Sequence, residues 1–171
     1  MDNLYTLFAI LNSLYIFILI LFTNLIYIHM SKYPVLKYYM DTLRNVEDYM
    51  DIKETSNDQL DIFKSIIPGF IGCYPSNRVP RMKNNESCII NTDDDKKPGQ
   101  HWTALIKYQD KFYFYDSFGR SYKTLSKYWI NKKWNDAHDD GQSTSESSCG
   151  QHCIAFIYTF QKFHLKCLNI L

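Results

Sequence analysis

The chain has 171 residues, of which 46% are hydrophobic and 22% are charged. This length suits one domain of ordinary size and hardly two. The composition excludes a disordered, collagen-like or low-complexity chain, because enough apolar surface is available for a core. The 19 basic and 18 acidic residues leave a net charge of +1, so no bulk positive charge argues for a nucleic-acid-binding protein.

The five cysteines are too few and too irregularly spaced for a secreted disulfide scaffold, and their odd number leaves at least one thiol free. They do not have zinc-finger spacing either, because only two are close together. We therefore expect a reduced intracellular compartment, no metal and no cofactor. The cysteines are Cys73, Cys88, Cys149, Cys153 and Cys167.

The N-terminal stretch Leu4–Met30 contains no charged residue and is long enough to cross a bilayer. Asp2 precedes it and Lys32 and Lys37 follow it, so the positive-inside rule would leave the bulk of the chain in the cytoplasm. We predict a transmembrane helix and a membrane partner for residues 4–30.

Two other interpretations of this stretch stay open. Translation could begin at Met30, where Met30-Ser31-Lys32 would start a soluble domain. A buried core helix is the weakest interpretation, because no amphipathic face emerges. The predicted domains are accordingly a hydrophobic segment 1–31 and a folded domain 32–171.

Two helices are predicted next. Leu36, Tyr39, Met40 and Leu43 recur at helical spacing. The polar stretch Lys53–Gln59 interrupts this pattern, and Asp58 is a candidate cap for a short helix that runs through Ile66.

The middle of the chain has strand character. The runs 70–75 and 88–91 are short and apolar, as in buried strands. Trp102–Tyr108 and Lys111–Tyr115 are rich in β-forming residues and flank a polar turn at Gln109-Asp110, which predicts a hairpin.

The remainder is predicted to be a helix, a loop and a helix. Tyr122–Lys133 has a helical pattern, whereas Trp134–Ser148 is polar and loop-like. In the last segment, Cys149–His164, the apolar residues Cys153, Phe156, Ile157 and Phe160 form one buried helical face.

His101 and Asp116 occupy the open end of the predicted hairpin. A turn centred on Gln109-Asp110 places residue 103 opposite residue 116, so His101 lies a diagonal step from Asp116. An imidazole beside a carboxylate is the pairing of base and orienting group that nucleophilic catalysis needs.

Cys149 is the candidate nucleophile, because it begins the last predicted helix. The positive end of the helix dipole and the unpaired backbone N–H groups there favour a thiolate. Gly150 would let a substrate backbone approach closely. Gln142, seven residues upstream, could add a side-chain amide to an oxyanion hole.

Cys153 and Cys167 are interpreted as inert core residues, since a lone cysteine is more often one than not. The other histidines, His29, His138, His152 and His164, are interpreted as structural or exposed. Trp102 could line a substrate channel or pack into the core. Arg78, Arg81 and Lys83 are more readily interpreted as solvated surface than as a nucleic-acid patch, because Asp93–Asp95 offset them.

The ordered motifs resemble the adenovirus-type cysteine peptidases, the adenains, and their relatives in Polinton and adintovirus-like elements. The resemblance rests on a His-Trp pair, an Asp-Ser-Phe-Gly run and a Gln followed by Cys-Gly. It covers about Ile66 to Phe160. The matching runs are 70–75, 91–93, 98–102, 114–119, Gln142 and 148–153.

The resemblance implies an α+β, papain-like fold in circularly permuted order, with a small mixed sheet packed on the cysteine-bearing helix. It assigns His101 as general base, Asp116 as its orienting acid, Gln142 as oxyanion donor and Cys149 as nucleophile. It also implies a cysteine endopeptidase that cleaves viral capsid or core precursors during virion maturation. The expected location is the virion and the infected cell, membrane-anchored if the N-terminal segment is retained.

The chain departs from the adenain pattern at three points, one of which is its hydrophobic N-terminal segment. Asp116 stands where adenain has Glu. No cysteine lies between Asp116 and Cys149, so the disulfide-linked peptide activation known for adenain is not expected. A DNA or peptide activator remains an expectation from the resemblance alone.

Two alternative functions stay open. A deconjugating peptidase for ubiquitin-like modifiers would use the same four roles, but such enzymes usually place Gln six residues before Cys, not seven. A catalytically silent, membrane-anchored binding protein would be expected to have lost a catalytic residue, and this chain has lost none.

Overall fold

The computed structural model describes residues 2–50, 55–138, 142, 143 and 146–168, with side chains at 13–26, 32–50, 55–137, 142, 143 and 146–168. The chain separates into two units, Met1–Pro34 and Val35–Leu171. The helices are α1 Asp2–Met50, α2 Asn57–Asp61, α3 Tyr122–Leu125 and α4 Cys149–Phe163. The strands are β1 Phe70–Tyr74, β2 Glu86–Asn91, β3 Trp102–Tyr108, β4 Lys111–Asp116 and β5 Trp134–His138. Single 3₁₀ turns follow α2 and α4, at Ile62–Ser65 and His164–Cys167.

The first unit is helical, but the predicted membrane span at Leu4–Met30 is not supported. In the part of the chain that the structure describes, no helix combines the length and the apolar character needed to cross a bilayer. The described side chains at 13–26 include three polar ones among exposed apolar ones, and the Thr23 hydroxyl donates back to the Ile20 carbonyl at 3.0 Å.

The second unit is built on a five-stranded mixed sheet with strand order β1-β2-β3-β4-β5. Strands β2, β3 and β4 pair antiparallel, whereas both outer pairs, β1 with β2 and β4 with β5, are parallel. The predicted α+β class with a mixed sheet is therefore confirmed. The papain-like fold and the circular permutation stay predictions.

The hairpin β3–β4 has the predicted register. Ala104 lies opposite Tyr115 and Tyr108 opposite Lys111. Gln109 and Asp110 both have positive φ, 50° and 60°, as the tightest hairpin turns require. This short turn holds the two strand ends beyond Ala104 and Tyr115 close together.

The predicted loop Trp134–Ser148 is wrong in its first part, where Trp134–His138 forms β5. This strand contains Asn135 and Asp136, residue types that are depleted in strands. Its register beside β4 is supported by Asp136, which accepts hydrogen bonds from the Ser121 hydroxyl at 2.8 Å and the Tyr122 N–H at 3.1 Å.

Two helix predictions also need correction. The predicted helix Tyr122–Lys133 shortens to the single turn of α3, because Trp129 turns into the core and donates from its indole nitrogen to the Ser76 carbonyl at 3.0 Å. The cap of α2 is Ser56, not Asp58. Its hydroxyl accepts from the Gln59 N–H while the Gln59 side chain accepts from the Ser56 N–H, a reciprocal capping box.

Helix α4 packs across one face of the sheet. Its buried apolar residues Cys153, Phe156, Ile157 and Phe160 belong to the same core cluster as Ala104 and Ile106 of β3. The predicted buried face of α4 is therefore confirmed. The opposite face of the sheet has its own aromatic cluster, which contains Phe114, Trp129 and Trp134.

A buried hydrogen-bonded chain joins α1, β4 and α4 within the second unit. The Tyr39 hydroxyl lies 2.7 Å from the Tyr115 hydroxyl and 2.6 Å from Nδ1 of His152. All three side chains are buried, which fits the structural interpretation of His152. The chain ties α1 to the residue before Asp116 and to the first turn of α4.

Candidate active site

The open end of the β3–β4 hairpin brings His101 and Asp116 into direct contact. Nε2 of His101 lies 2.5 Å from Oδ1 of Asp116, and both side chains are buried. Phe118 covers the imidazole, with ring centroids 5.0 Å apart. The hairpin thus holds an imidazole and a carboxylate in direct contact, with both side chains buried.

Arg120 holds the other side of the same carboxylate. Its Nε donates to Oδ2 of Asp116 at 2.8 Å, its Nη2 to Oδ1 at 3.2 Å and its backbone N–H to Oδ2 at 3.0 Å. Burial opposes ionisation of Asp116, but the hydrogen bonds from His101 and Arg120 lower its pKa to about 2. Asp116 is therefore an ionised carboxylate at any physiological pH.

The charge of Asp116 acts on His101. Burial of the imidazole opposes its protonation, but hydrogen bonding to Asp116 and to Cys149 raises the pKa of His101 above its ordinary value. Because Nε2 is engaged by Asp116, Nδ1 is the ring nitrogen that remains for the Cys149 thiol. The two partners of His101 therefore stabilise its protonated form more than water stabilises that of a free imidazole.

Cys149 is the first residue of α4, and its side chain is partly exposed. The following residue, Gly150, packs so tightly that a Cβ there would lie 2.1 Å from the Thr55 hydroxyl oxygen. The segment that leads into α2 therefore rests on the start of the cysteine-bearing helix. The thiol is left facing the cleft that also contains His101.

Gln142 lies in the same cleft and is held at both ends of its amide. Its Oε1 accepts from the Ser117 hydroxyl at 2.5 Å and its Nε2 donates to the Glu146 carbonyl at 3.1 Å. Its backbone N–H also donates to the Ser117 carbonyl at 3.1 Å. One Nε2 hydrogen remains for a further acceptor.

The cleft has a volume of about 740 Å³ and contains all the sequence-predicted site residues except Asp116 along its lining. Asp116 lies behind His101. The Trp102 ring packs into the core and also lines the cleft, and its part in a substrate channel stays a prediction. Its indole nitrogen donates to the Thr55 carbonyl at 2.9 Å.

Cys149 differs from the other cysteines in its surroundings. Burial raises the pKa of the Cys73, Cys88 and Cys167 thiols, to about 12 for Cys167. Cys153 lies fully buried on the core face of α4. A thiol that is buried and protonated reacts slowly with electrophiles.

Sequence reasoning missed two residues of this arrangement. Arg120 grips Asp116, and Ser117 orients Gln142. Both lie in or directly after the Asp-Ser-Phe-Gly run, so their closeness to the acid in sequence is the signal that could have found them. Ser117 and Gln142 are 25 residues apart, and only the tertiary fold reveals their contact.

No family model matches this chain. It is 28% identical to the protein named "Protease" of Bovine adenovirus 4, over an alignment of 126 residues that covers 59% of this chain. The alignment spans 61% of that relative's length, so just over a third of the relative lies outside it. Closeness to Polinton or adintovirus-like elements stays a prediction. The resemblance to adenovirus-type proteases is confirmed by this comparison, and the chain is similar to an adenovirus protease.

Proposed function

We propose that this chain is a cysteine endopeptidase of viral origin, with Cys149 as nucleophile, His101 as general base and Asp116 as its orienting acid. The observation that carries the proposal is the 2.5 Å contact between His101 Nε2 and Asp116 Oδ1 in a cleft that also holds Cys149. The similarity to an adenovirus protease supports it independently.

In the proposed reaction, His101 takes the proton of Cys149, and the sulfur attacks a peptide carbonyl. Asp116 stabilises the resulting imidazolium, which then protonates the leaving amine. Water, activated by His101, hydrolyses the thioester and releases the acyl product. The raised pKa of His101 suits the step in which the imidazolium acts as acid.

The oxyanion formed in this reaction needs hydrogen-bond donors at the start of α4. The Cys149 backbone N–H and Nε2 of Gln142 are the proposed donors. The contact from Ser117 to Oε1 of Gln142 supports this role, because it fixes Oε1 as the acceptor end of the amide and Nε2 as the donor end.

The proposed substrates are viral precursor polypeptides, processed in the virion or the infected cell. A DNA or peptide activator is retained as part of the proposal from the family resemblance. In the structure, Arg78 forms an ion pair with Asp95, and Lys97 forms one with Asp93. The charges of these two basic side chains are therefore already offset by acidic side chains.

The test is site-specific alkylation of the full chain, followed by mass spectrometry. Iodoacetamide should label Cys149 faster than Cys73, which is also partly accessible. The preference should disappear in His101→Ala. A Cys149→Ser variant should lose peptide hydrolysis while its circular dichroism spectrum is unchanged. Equal labelling of Cys73 and Cys149 would contradict the proposal.

A deconjugating peptidase for ubiquitin-like modifiers is one of the two alternatives that the sequence leaves open. A ubiquitin-like protein with an electrophilic C-terminus separates the two functions in the same assay. Faster labelling by this probe than by short peptide electrophiles would favour deconjugation. The reverse order would favour processing of precursors.

A further inference from the structure

Asn91 ends strand β2 beside the proposed catalytic hairpin. It pairs with Trp102 across the β2–β3 ladder, and the next residue, Thr92, donates its N–H to the His101 carbonyl at 2.9 Å. Its side chain is only 7% exposed. Asn91 is therefore a buried amide one strand away from the proposed general base.

The carboxamide of Asn91 is clamped through its oxygen. Oδ1 accepts the Asp93 N–H at 2.9 Å and the Gln100 N–H at 3.2 Å. Two backbone donors on one atom determine which end of the amide is oxygen and which is nitrogen. The NH2 group of Asn91 is consequently fixed in direction, without freedom to exchange ends.

The nitrogen of this amide has no hydrogen-bond partner within the described part of the chain. Asn91 lines the cleft of about 740 Å³ that holds Cys149 and a neighbouring cavity of about 510 Å³. It lies at their junction, since the two cavities share Asn57, Asn91, Pro98, Gly99 and Trp102. An extended peptide that passes from one cavity to the other would cross Asn91.

Gly99 keeps this nitrogen uncovered. Its φ is +91°, and a Cβ at this position would lie 2.7 Å from Nδ2 of Asn91. Glycine at such a place lets a ligand backbone approach closely. A bare glycine next to a fixed and unpaired amide donor matches the requirements of a main-chain carbonyl better than those of a side chain.

We propose that Asn91 is a substrate-positioning residue whose Nδ2 donates a hydrogen bond to a main-chain carbonyl of the bound polypeptide. This inference rests on the proposed peptidase function. It adds a recognition point for the substrate backbone that is independent of the substrate's side chains. Asn91 takes no part in bond making or breaking.

The Asn91→Asp variant separates this role from a structural one. Aspartate keeps the oxygen that accepts the Asp93 and Gln100 N–H groups, but it replaces the donor with an acceptor. Asn57→Asp is the matched control, because Asn57 is exposed, lines the same two cavities and introduces the same charge.

The experiment compares two electrophiles on the full chain. Iodoacetamide reports reactivity of Cys149 without a peptide backbone, whereas an acetylated tetra-alanine chloromethyl ketone presents main-chain carbonyls with minimal side chains. We expect Asn91→Asp to slow labelling by the peptide probe by about 10-fold or more, as loss of a buried hydrogen bond does. Labelling by iodoacetamide should stay within about 2-fold of the unmodified chain, and Asn57→Asp should slow neither probe to that extent.

Equal rates for the peptide probe in Asn91→Asp and Asn57→Asp would overturn the role of Asn91. The role would also be overturned if the ratio of the peptide-probe rate to the iodoacetamide rate were no higher in the unmodified chain than in Asn91→Asp. Failure of the peptidase proposal has a different signature, in which iodoacetamide itself shows no preference for Cys149 over Cys73.

Discussion

Arg120 contacts both oxygens of the Asp116 carboxylate, at 2.8 Å from Nε to Oδ2 and 3.2 Å from Nη2 to Oδ1. The guanidinium also stacks over Phe118, 4.8 Å from the ring centroid, and Phe118 in turn lies against His101. The carboxylate that orients the imidazole is thus itself oriented by a partly exposed arginine.

Replacing Arg120 by alanine should impair catalysis without removing a catalytic group. The carboxylate would lose its bidentate partner, so kcat should fall by about 10-fold while KM changes little. Because a cation near Asp116 would be gone, the pKa of His101 should rise, as measured by NMR of the imidazole. Arg120→Lys should restore only part of kcat, since lysine cannot contact both oxygens. A fall in kcat with no change in the pKa of His101 would contradict this account.

Replacing Asp116 by asparagine should lower the pKa of His101. The carboxylate is one of the two groups that raise this pKa, and asparagine removes its charge with little change in shape. NMR titration of His101 in Asp116→Asn measures the shift. An unchanged or higher pKa would show that Cys149, not Asp116, stabilises the imidazolium.

The same substitution should change stability in a pH-dependent way. Asp116 has a pKa of about 2 in the folded chain against 3.8 for the free side chain. A pKa that is lowered in the folded state stabilises the fold at pH values above the unfolded-state pKa. This stabilisation is lost as the pH falls through the folded-state pKa. The corresponding stabilisation is about 2 kcal/mol at pH 6 and about 1 kcal/mol at pH 3. Urea unfolding of the chain and of Asp116→Asn at both pH values should show the difference shrinking towards acid. A difference that grows on acidification would contradict this sign.

Ser117→Ala tests how Gln142 is held. Loss of the Ser117 hydroxyl leaves Oε1 of Gln142 without its donor in the described structure, so the amide can turn away from the oxyanion position. We expect kcat to fall by about 10-fold, against about 10² to 10³-fold for Gln142→Ala. Ser65→Ala is the matched control, because Ser65 is exposed and bonds only its own turn at 2.8 Å. If Ser117→Ala and Ser65→Ala had the same kcat, the orienting role would be excluded.

Tyr39→Phe should destabilise the second unit. It removes a buried hydroxyl that bonds Tyr115 and His152, and loss of such a buried partner costs about 1–3 kcal/mol in free energy of unfolding. Tyr128→Phe removes an exposed hydroxyl that bonds Asp94 and should cost less than about 0.5 kcal/mol. Denaturant unfolding measures the free energy of unfolding of the two variants. Equal losses would show that the hydrogen bonds of the Tyr39 hydroxyl add no stability.

The hairpin and the cysteine-bearing helix were predictable because their signals are local. A two-residue turn at Gln109-Asp110 sets the register of β3 and β4, and the period of the apolar residues indicates α4. Strand β5 was not predictable, because its polar residues form a strand only where β4 and Ser121 provide partners. At the N-terminal segment, the absence of charge predicted a membrane span that is not found in the part of the chain that the structure describes.

The site residues also divide into those with a local sequence signal and those that depend on tertiary packing. His101 and Asp116 could be paired from the hairpin, since the distance between them follows from a local register. The contact between Arg120 and Asp116 also joins residues close in sequence, but a sequence pattern does not tell which carboxylate oxygen an arginine contacts. The clamp on Asn91 depends on two loop N–H groups whose positions are set by tertiary packing, so it has no sequence signature.

The placement of the proposed triad along the chain has a consequence for synthesis. His101 and Asp116 are only 15 residues apart and meet through a single hairpin, a contact with little loop-closure cost. Cys149 follows 33 residues after Asp116, at the start of α4, so it is synthesised after both β4 and β5. A nascent chain that has emerged from the ribosome only as far as β4 would therefore contain His101 and Asp116 but not the Cys149 thiol. With Cys149 as the proposed nucleophile, cleavage of neighbouring polypeptides would have to wait until α4 has been synthesised.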